Sequence, residues 1–302
     1  MLAQTRYLPF AYKEQDASVY GVDLWSTYCY TIQGKTRSGR KNMLKLLAYA
    51  ASKKENARVC IIDIDGQELK KFSEQHGLEY IGNESQSYEF FKSTIPLFKE
   101  RNQKKRALLD SGMEEEEMIE IMNKESHVYI FITDMVAFVQ SVYKVIEGVG
   151  SINAYLENIS EKGSHHGFYF FSILNPDQAS SVAGRQLYTN MISYKTGAHL
   201  GGNITAQRLF QFNNIPFQEQ SKVTKPGKGL VPSFEVRAVI LNQTFLIFKI
   251  ASAANIQEES CPDVLDLRLK YIEVLLFKSL CLKVRDEITY QVYKSYDILG
   301  LF

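Results

Sequence analysis

The sequence predicts an α/β fold in which a mainly parallel β-sheet is flanked by helices on both faces, and three observations predict it. Short, almost uninterrupted apolar runs recur at 58–64, 127–133 and 167–174, as in strands buried on both faces. Segments with apolar residues at helical spacing separate them, so that β-α-β alternation repeats along the chain. A glycine-bearing polar loop, residues 34–39, lies between the first β-rich run and the first helical one.

In chain order, residues 26–33 form the first β-rich run, and Met43, Leu44, Leu46, Leu47 and Ala50 then recur at helical spacing. The second strand, 58–64, closes on Asp63 and Asp65, and a short strand follows at 78–81. Residues 84–125 are highly charged, with Lys104-Lys105-Arg106 ahead of an acidic run from Glu114 to Glu117. Phe90, Phe91, Ile95, Phe98, Met118, Ile121 and Met122 nevertheless keep helical spacing, which predicts two surface helices with a turn at Ser111-Gly112. Helices over 136–146 and 152–162 join the third strand, 127–133, to the fourth, 167–174. From Lys225 the texture changes: Lys225-Pro226-Gly227-Lys228-Gly229 predicts a turn, and 234–240 and 245–250 predict an antiparallel hairpin around 241–244. The aromatic-rich opening, 7–30, is expected to cover the sheet rather than to stack bases, and His165-His166 to form an exposed turn. Beyond Pro262, Leu265, Leu269, Ile272, Leu276, Leu280, Val284, Ile288 and Val292 recur at steps of three or four, an amphipathic helix packed on the domain or docking a partner helix. The expected organisation is one module over 1–252 and a helical tail over 253–302.

Composition narrows the function. The 302 residues hold 35 Lys+Arg against 34 Asp+Glu, a net charge of +1, which disfavours a chain whose main task is to neutralise nucleic-acid phosphates. With 45% hydrophobic and 12% aromatic residues the chain has ample surface to bury and is not a disordered one. Asp134 interrupts the apolar stretch 128–143 and Lys249 interrupts 245–254, so no transmembrane segment is expected, and the first residues do not read as a signal peptide. Cys29, Cys60, Cys261 and Cys281 are too widely spaced for a metal site and are expected to be buried thiols.

The loop Gly34-Lys35-Thr36-Arg37-Ser38-Gly39-Arg40-Lys41 has the glycine spacing of G-x-x-x-x-G-K-[ST], the phosphate-binding loop of P-loop NTPases, but Arg40 stands at the Lys and Lys41 at the Ser/Thr. Phosphate binding by loop amides at a helix N-terminus needs no particular side chain and is expected to survive. Catalysis is not, because the missing hydroxyl is a Mg²⁺ ligand and an ammonium in its place repels the metal. Residues 129–134 form an apolar strand ending in Asp134, as a Walker-B strand does, yet Met135 follows where an acid would polarise the attacking water. Two such motifs in this order, each at a strand end, predict a P-loop NTPase fold of the RecA/FtsK kind.

With these features the chain resembles the FtsK/SpoIIIE-type ATPases, and among them the third, C-terminal module of type VII secretion motors. The resemblance rests on Val19-Tyr20-Gly21-Val22-Asp23-Leu24, the loop from Gly34 to Asn42, the charged helices over 98–124, Phe131-Ile132-Thr133-Asp134, Glu161-Lys162-Gly163-Ser164, residues 194–203, Asn214-Ile215-Pro216 and Lys225-Pro226-Gly227. It covers roughly residues 6–252. It implies a terminal cytosolic module of a bacterial polypeptide anchored in the cytoplasmic membrane. Preceding ATPase modules of the same chain and small helical-hairpin export substrates with a Trp-Xaa-Gly turn would be its partners, in an oligomeric assembly and without direct nucleic-acid contact. Gly34, Ser38, Gly39, Arg40, Lys41, Asn42 and Asn175 would line the nucleotide site, with Asp134 at the Walker-B position. The expected cofactor is ATP, held weakly and without Mg²⁺.

The expected function is therefore substrate recognition and regulation of the motor with little or no ATP hydrolysis. A hydrolysing motor that uses Arg40 and Asp134 is the alternative, and a DNA translocase is disfavoured by the net charge. Arg185 and Arg208 are either arginine fingers acting on a neighbouring module or structural residues. Leu187, Tyr188, Met191, Ile192, Leu209 and Phe210 are the candidate substrate surface, if exposed, for a short amphipathic helix; otherwise they are core.

Overall fold

A computed structural model of the chain describes residues 6–13, 19–64, 66–145, 151–162, 165–212, 215, 220, 224–232 and 239–242, all within a compact unit spanning residues 1–248. The expected tail, 253–302, lies outside them.

The elements in chain order are β1 (Tyr7–Lys13), β2 (Val19–Asp23), β3 (Cys29–Gly34), α1 (Arg40–Ser52), β4 (Ala57–Ile62), α2 (Lys70–His76), β5 (Glu79–Ile81), α3 (Glu84–Asp110), α4 (Glu115–Met122), β6 (His127–Ile132), α5 (Met135–Val142), α6 (Asn153–Lys162), β7 (Phe168–Ile173), α7 (Gln186–Ser193), β8 (Gly197–Gly202), β9 (Thr224–Val231) and β10 (Val239–Asn242). The ten described strands form one sheet in the order β2-β1-β10-β9-β8-β3-β7-β6-β4-β5. From β8 through β5 every pairing is parallel, and from β8 through β2 every pairing is antiparallel.

The parallel half explains the uninterrupted apolar runs. Successive side chains of a strand point to opposite faces, and both faces are covered: Tyr129 and Phe131 of β6 join Tyr169 and Phe171 of β7 beneath α1, whereas Val128, Ile130 and Ile132 meet Phe168 and Phe170 on the face covered by α5 and α6. Aromatic pairs lock the β6–β7 register, Phe131 stacking on Phe171 with centroids 4.9 Å apart and Tyr129 on Tyr169 at 5.1 Å. The two charged surface helices are α3 and α4, separated at Ser111 and Gly112, where Gly112 has φ +80°.

Four expectations are corrected. The aromatic opening does not cover the sheet: β1 and β2 extend it, with Leu8 and Phe10 fully buried. Residues 225–229 are no reversing turn but part of β9, which pairs with β8 on one side and β10 on the other. Leu241 and Asn242, expected in a hairpin turn, belong to β10 and pair with β1 as well as β9; the second arm, 245–250, lies outside the described residues. His166 is buried rather than exposed, its ring 4.8 Å from that of Phe98.

Candidate nucleotide site

The site lies at the C-terminal ends of β3, β6 and β7, where open parallel sheets bind their ligands. The loop leaving β3 is built by close approach. At Gly34, φ is +141°, and a Cβ would meet the Leu200 carbonyl oxygen at 1.9 Å. The Lys35 N–H donates to that same oxygen at 3.1 Å, and the Ser38 N–H donates to the Lys35 carbonyl at 3.1 Å, closing a tight turn. Arg37 (φ 65°) and Gly39 (φ 104°) are left-handed, and Gly39 caps α1 with its carbonyl accepting from the Met43 N–H at 2.9 Å.

This geometry leaves the N–H groups of Thr36, Arg37, Gly39, Arg40, Lys41 and Asn42 with no acceptor among the described residues. Left-handed residues alternating with ordinary ones turn successive amides toward one concavity, and the positive end of α1 adds to it. Lys35, Thr36, Arg37 and Asn42 are exposed, so the concavity opens to solvent. The residues present therefore fit a phosphate group through backbone donors. Ser38 is buried, and its hydroxyl has no partner among the described residues.

The side-chain half is arranged differently. Arg40 reaches across the crevice and donates from Nη1 to the Leu174 carbonyl at 3.3 Å, half-buried, so that desolvation lowers its pKa while the nearby Asp134 charge opposes the shift. Lys41 turns outward to an exposed ion pair with Glu68. Asp134 is occupied as the N-cap of α5, one carboxylate oxygen accepting from the Val136 N–H at 2.9 Å and the Ala137 N–H at 3.0 Å. Met135 is fully buried and points into the apolar face of the sheet. Asn175 caps a short 3-10 turn over Pro176–Ser181, accepting from the Asp177 N–H at 3.4 Å. A second strand-end acid, Asp63 on β4, is also committed to structure, accepting from the Thr133 hydroxyl at 2.7 Å.

The candidate substrate surface is not an open face. Leu187, Tyr188, Met191 and Phe210 are buried; only Ile192 and Leu209 are half-buried. The first three pack into the core beneath α7. Arg185 and Arg208 are exposed, and the Arg185 guanidinium lies 4.6 Å from the centroid of the Tyr143 ring. The largest cavity, about 560 Å³, lies at the opposite end of the sheet, between Arg6, Trp25, Lys54, Glu120, Asn123 and His127, with charges of both signs in its lining. Residues that the motifs did not reveal are Leu200, Gly201 and Gly227, which hold the loop from β8 and β9. The Pro226-Gly227 pair was the sequence signal for them.

No protein-family model and no curated protein sequence matches the chain. Solved structures do. The chain is similar to the cytoplasmic domain of EssC, with a TM-score of 0.65 and 14% identity over 80% of this chain and 44% of that one. ATPases 2 and 3 of EssC from Geobacillus thermodenitrificans give 0.60 and 14% over 80% and 42%. The Thermomonospora curvata EccC structure of ATPases 2 and 3 in complex with a signal sequence peptide gives 0.58 and 13% over 78% and 40%. The monomer form of the pCW3 conjugation coupling protein TcpA with ATPγS gives 0.57 and 15% over 83% and 72%. The chain thus spans less than half the length of the EssC and EccC structures it matches, and at these identities the likeness establishes the fold: that of the P-loop ATPase domains of type VII secretion and conjugation proteins.

Proposed function

We propose that this chain is an ATPase-like module of a type VII secretion translocase, which binds nucleotide phosphate through its loop, hydrolyses it slowly or not at all, and serves substrate recognition and regulation of the motor. The observation that carries this reading is the division within the site: six amide donors face a solvent-open concavity, while the place of the water-activating acid is a buried Met135 and the place of the metal-binding hydroxyl is Lys41. Fold likeness to EssC and EccC supports the secretion assignment, and the ATPγS of the TcpA structure supports a nucleotide in this crevice. The signal sequence peptide of the EccC structure supports a recognition role. In this reading the module is cytoplasmic, follows other ATPase modules in a membrane-anchored chain, works in an oligomer and meets small helical-hairpin substrates on a surface other than the buried side chains of α7. No helix among the described residues is long and apolar enough to cross a membrane.

ATP binding is expected to be weak and independent of Mg²⁺, because the donors are amides and one guanidinium. Calorimetric titration of the chain with ATP, with and without Mg²⁺, tests this. Arg40→Ala is expected to weaken binding about tenfold, the scale of one charge-assisted contact. Turnover at about 1 s⁻¹ or faster, abolished by Asp134→Ala, would overturn the reading in favour of an active motor.

A further inference from the structure

The antiparallel strands β8 and β9 hold the phosphate loop at three points, and one of them comes from an irregularity. Leu200 pairs with Gly229 and Gly202 with Thr224, so the four residues Lys225 to Lys228 stand opposite the single residue Gly201. This is a wide bulge, a device that re-aims backbone where a strand borders a site. At its tip Gly227, with φ +80°, donates its N–H to the Ser38 carbonyl of the loop at 2.9 Å. Opposite the bulge, Gly201 lies so close to the loop that a Cβ there would stand 2.8 Å from the Ser38 Cβ. The third point is the Leu200 carbonyl, which accepts from the Lys35 N–H.

From these contacts we infer that the Pro226-Gly227 bulge of β9 is a latch that positions the phosphate loop, so that the seating of β9 sets the loop's affinity for phosphate. The inference rests on the phosphate-binding reading above. A trans peptide is planar, and its C=O and N–H point in opposite directions. Holding the Ser38 carbonyl toward Gly227 therefore aims the Gly39 N–H away from β9, to the side where Arg40, Lys41 and Asn42 present their own free amides. Without the latch that peptide plane is free to rotate, and the Gly39 donor no longer has a fixed direction. Gly227 and Gly201 are positioning residues: they act through Ser38. Coupling of this kind is reciprocal, so phosphate in the loop must in turn steady the bulge.

The test uses the full chain, with ATP and inorganic tripolyphosphate as probes. Gly201→Ala adds a methyl against Ser38 and is expected to weaken binding of both probes about tenfold. Ser38→Gly removes the obstructing Cβ, leaving the Ser38 Cα as nearest neighbour at 3.7 Å. The double variant Ser38→Gly/Gly201→Ala is therefore expected to bind within about threefold of Ser38→Gly alone, a non-additivity that a general loss of stability would not produce. In the wild type, ATP is expected to slow hydrogen exchange of the Gly227 amide about threefold or more, although that amide bonds to the loop rather than to the ligand. An unchanged affinity in Gly201→Ala, or a loss as large in the double variant, overturns the latch while leaving the phosphate reading standing. If Gly201→Ala does not fold, recovery of folding and binding in the double variant supports the latch. If neither folds, the Gly227 exchange decides, and no protection by ATP overturns it. A wild type that binds neither probe removes the phosphate reading and the latch with it.

Discussion

The loop before α1 and the strand end at Asp134 border the same crevice, yet they present different kinds of atom. The loop offers backbone N–H groups directed by Gly34, Arg37 and Gly39, and these need only the right dihedral angles. The β6 end depends on side chains, and each has another task or another direction: Asp134 caps α5, Met135 is core, and Lys41 pairs with Glu68. A backbone anion site tolerates drift of side chains because its donors are common to all residues. A catalytic site does not, because proton transfer and metal ligation need particular groups at particular points.

The largest effect that would break this contrast is a change at Met135. If the crevice were a catalytic site lacking one group, Met135→Glu would restore an acid and hydrolysis with it. Met135 is fully buried among Ile132, Phe138 and Val139 on the face covered by α5. A carboxyl there has no donors in that apolar cluster, and burying it is expected to cost about 3 kcal/mol, with no gain in ATP turnover. Denaturant unfolding and a phosphate-release assay on the same variant check both halves. Wild-type stability together with turnover would show that this position faces the nucleotide after all.

A second test separates the crevice from the far end of the sheet. At the start of β6, burial, with the charges of Arg101 and Lys54 adding to it, pushes the pKa of His127 down to about 4. Its folded value thus lies below the ordinary 6.5. The unfolded chain binds more protons between those limits, so stability is complete above about pH 6.5 and is lost as the pH falls toward 4, by at most about 1.4 kcal/mol per unit. His76, His165 and His199 shift in the same direction, so the useful quantity is the difference between wild type and His127→Gln across pH 4.5 to 7. The wild type is expected to lose more stability on acidification, with ATP binding equally changed or unchanged in both proteins above pH 6. Parallel stability curves would show that His127 does not titrate as buried.

The parallel half of the sheet was legible because burial on both faces leaves a mark that needs no partner to interpret: Tyr129, Ile130, Phe131 and Ile132 are all apolar whichever way they point. The antiparallel half was not. Pro226-Gly227 has the chemistry of a reversing turn and of a bulge alike, since both need a positive φ, and only pairing with β8 and β10 decides between them. In β1, Pro9 lacks a ladder donor, which argued against a strand; the register shift between Pro9 and Ala11 accommodates it. Loop spacing located the phosphate donors, and Asp134-Met135 the missing acid, because both are local signals. The outward turn of Lys41 and the burial of Leu187, Tyr188 and Met191 were hidden, since periodicity marks a helix face without saying what covers it.

The smallest effect concerns Lys41, where the two halves of the crevice meet. It opens α1 beside the free amides, and its ammonium forms an exposed pair with Glu68, whose carboxyl the hydrogen bond and charge of Lys41 hold below the usual range. Exposed pairs contribute less than about 1 kcal/mol, so Lys41→Thr is expected to leave stability nearly unchanged. It also replaces a cation with a neutral hydroxyl at the position where P-loop enzymes ligate Mg²⁺. If side chains alone decide metal use while the amides decide phosphate binding, Lys41→Thr should keep its affinity for free ATP and acquire a preference of about threefold for ATP with Mg²⁺. Turnover should stay absent, because Met135 is unaltered. Glu68→Gln is the control: it frees the ammonium without removing it and should create no Mg²⁺ preference. Calorimetry on the three proteins, each with and without Mg²⁺, reads all of this. A wild type already dependent on Mg²⁺, or a Lys41→Thr variant indifferent to it, would show that the metal position lies elsewhere and that the loop and the strand end do not divide the work as described.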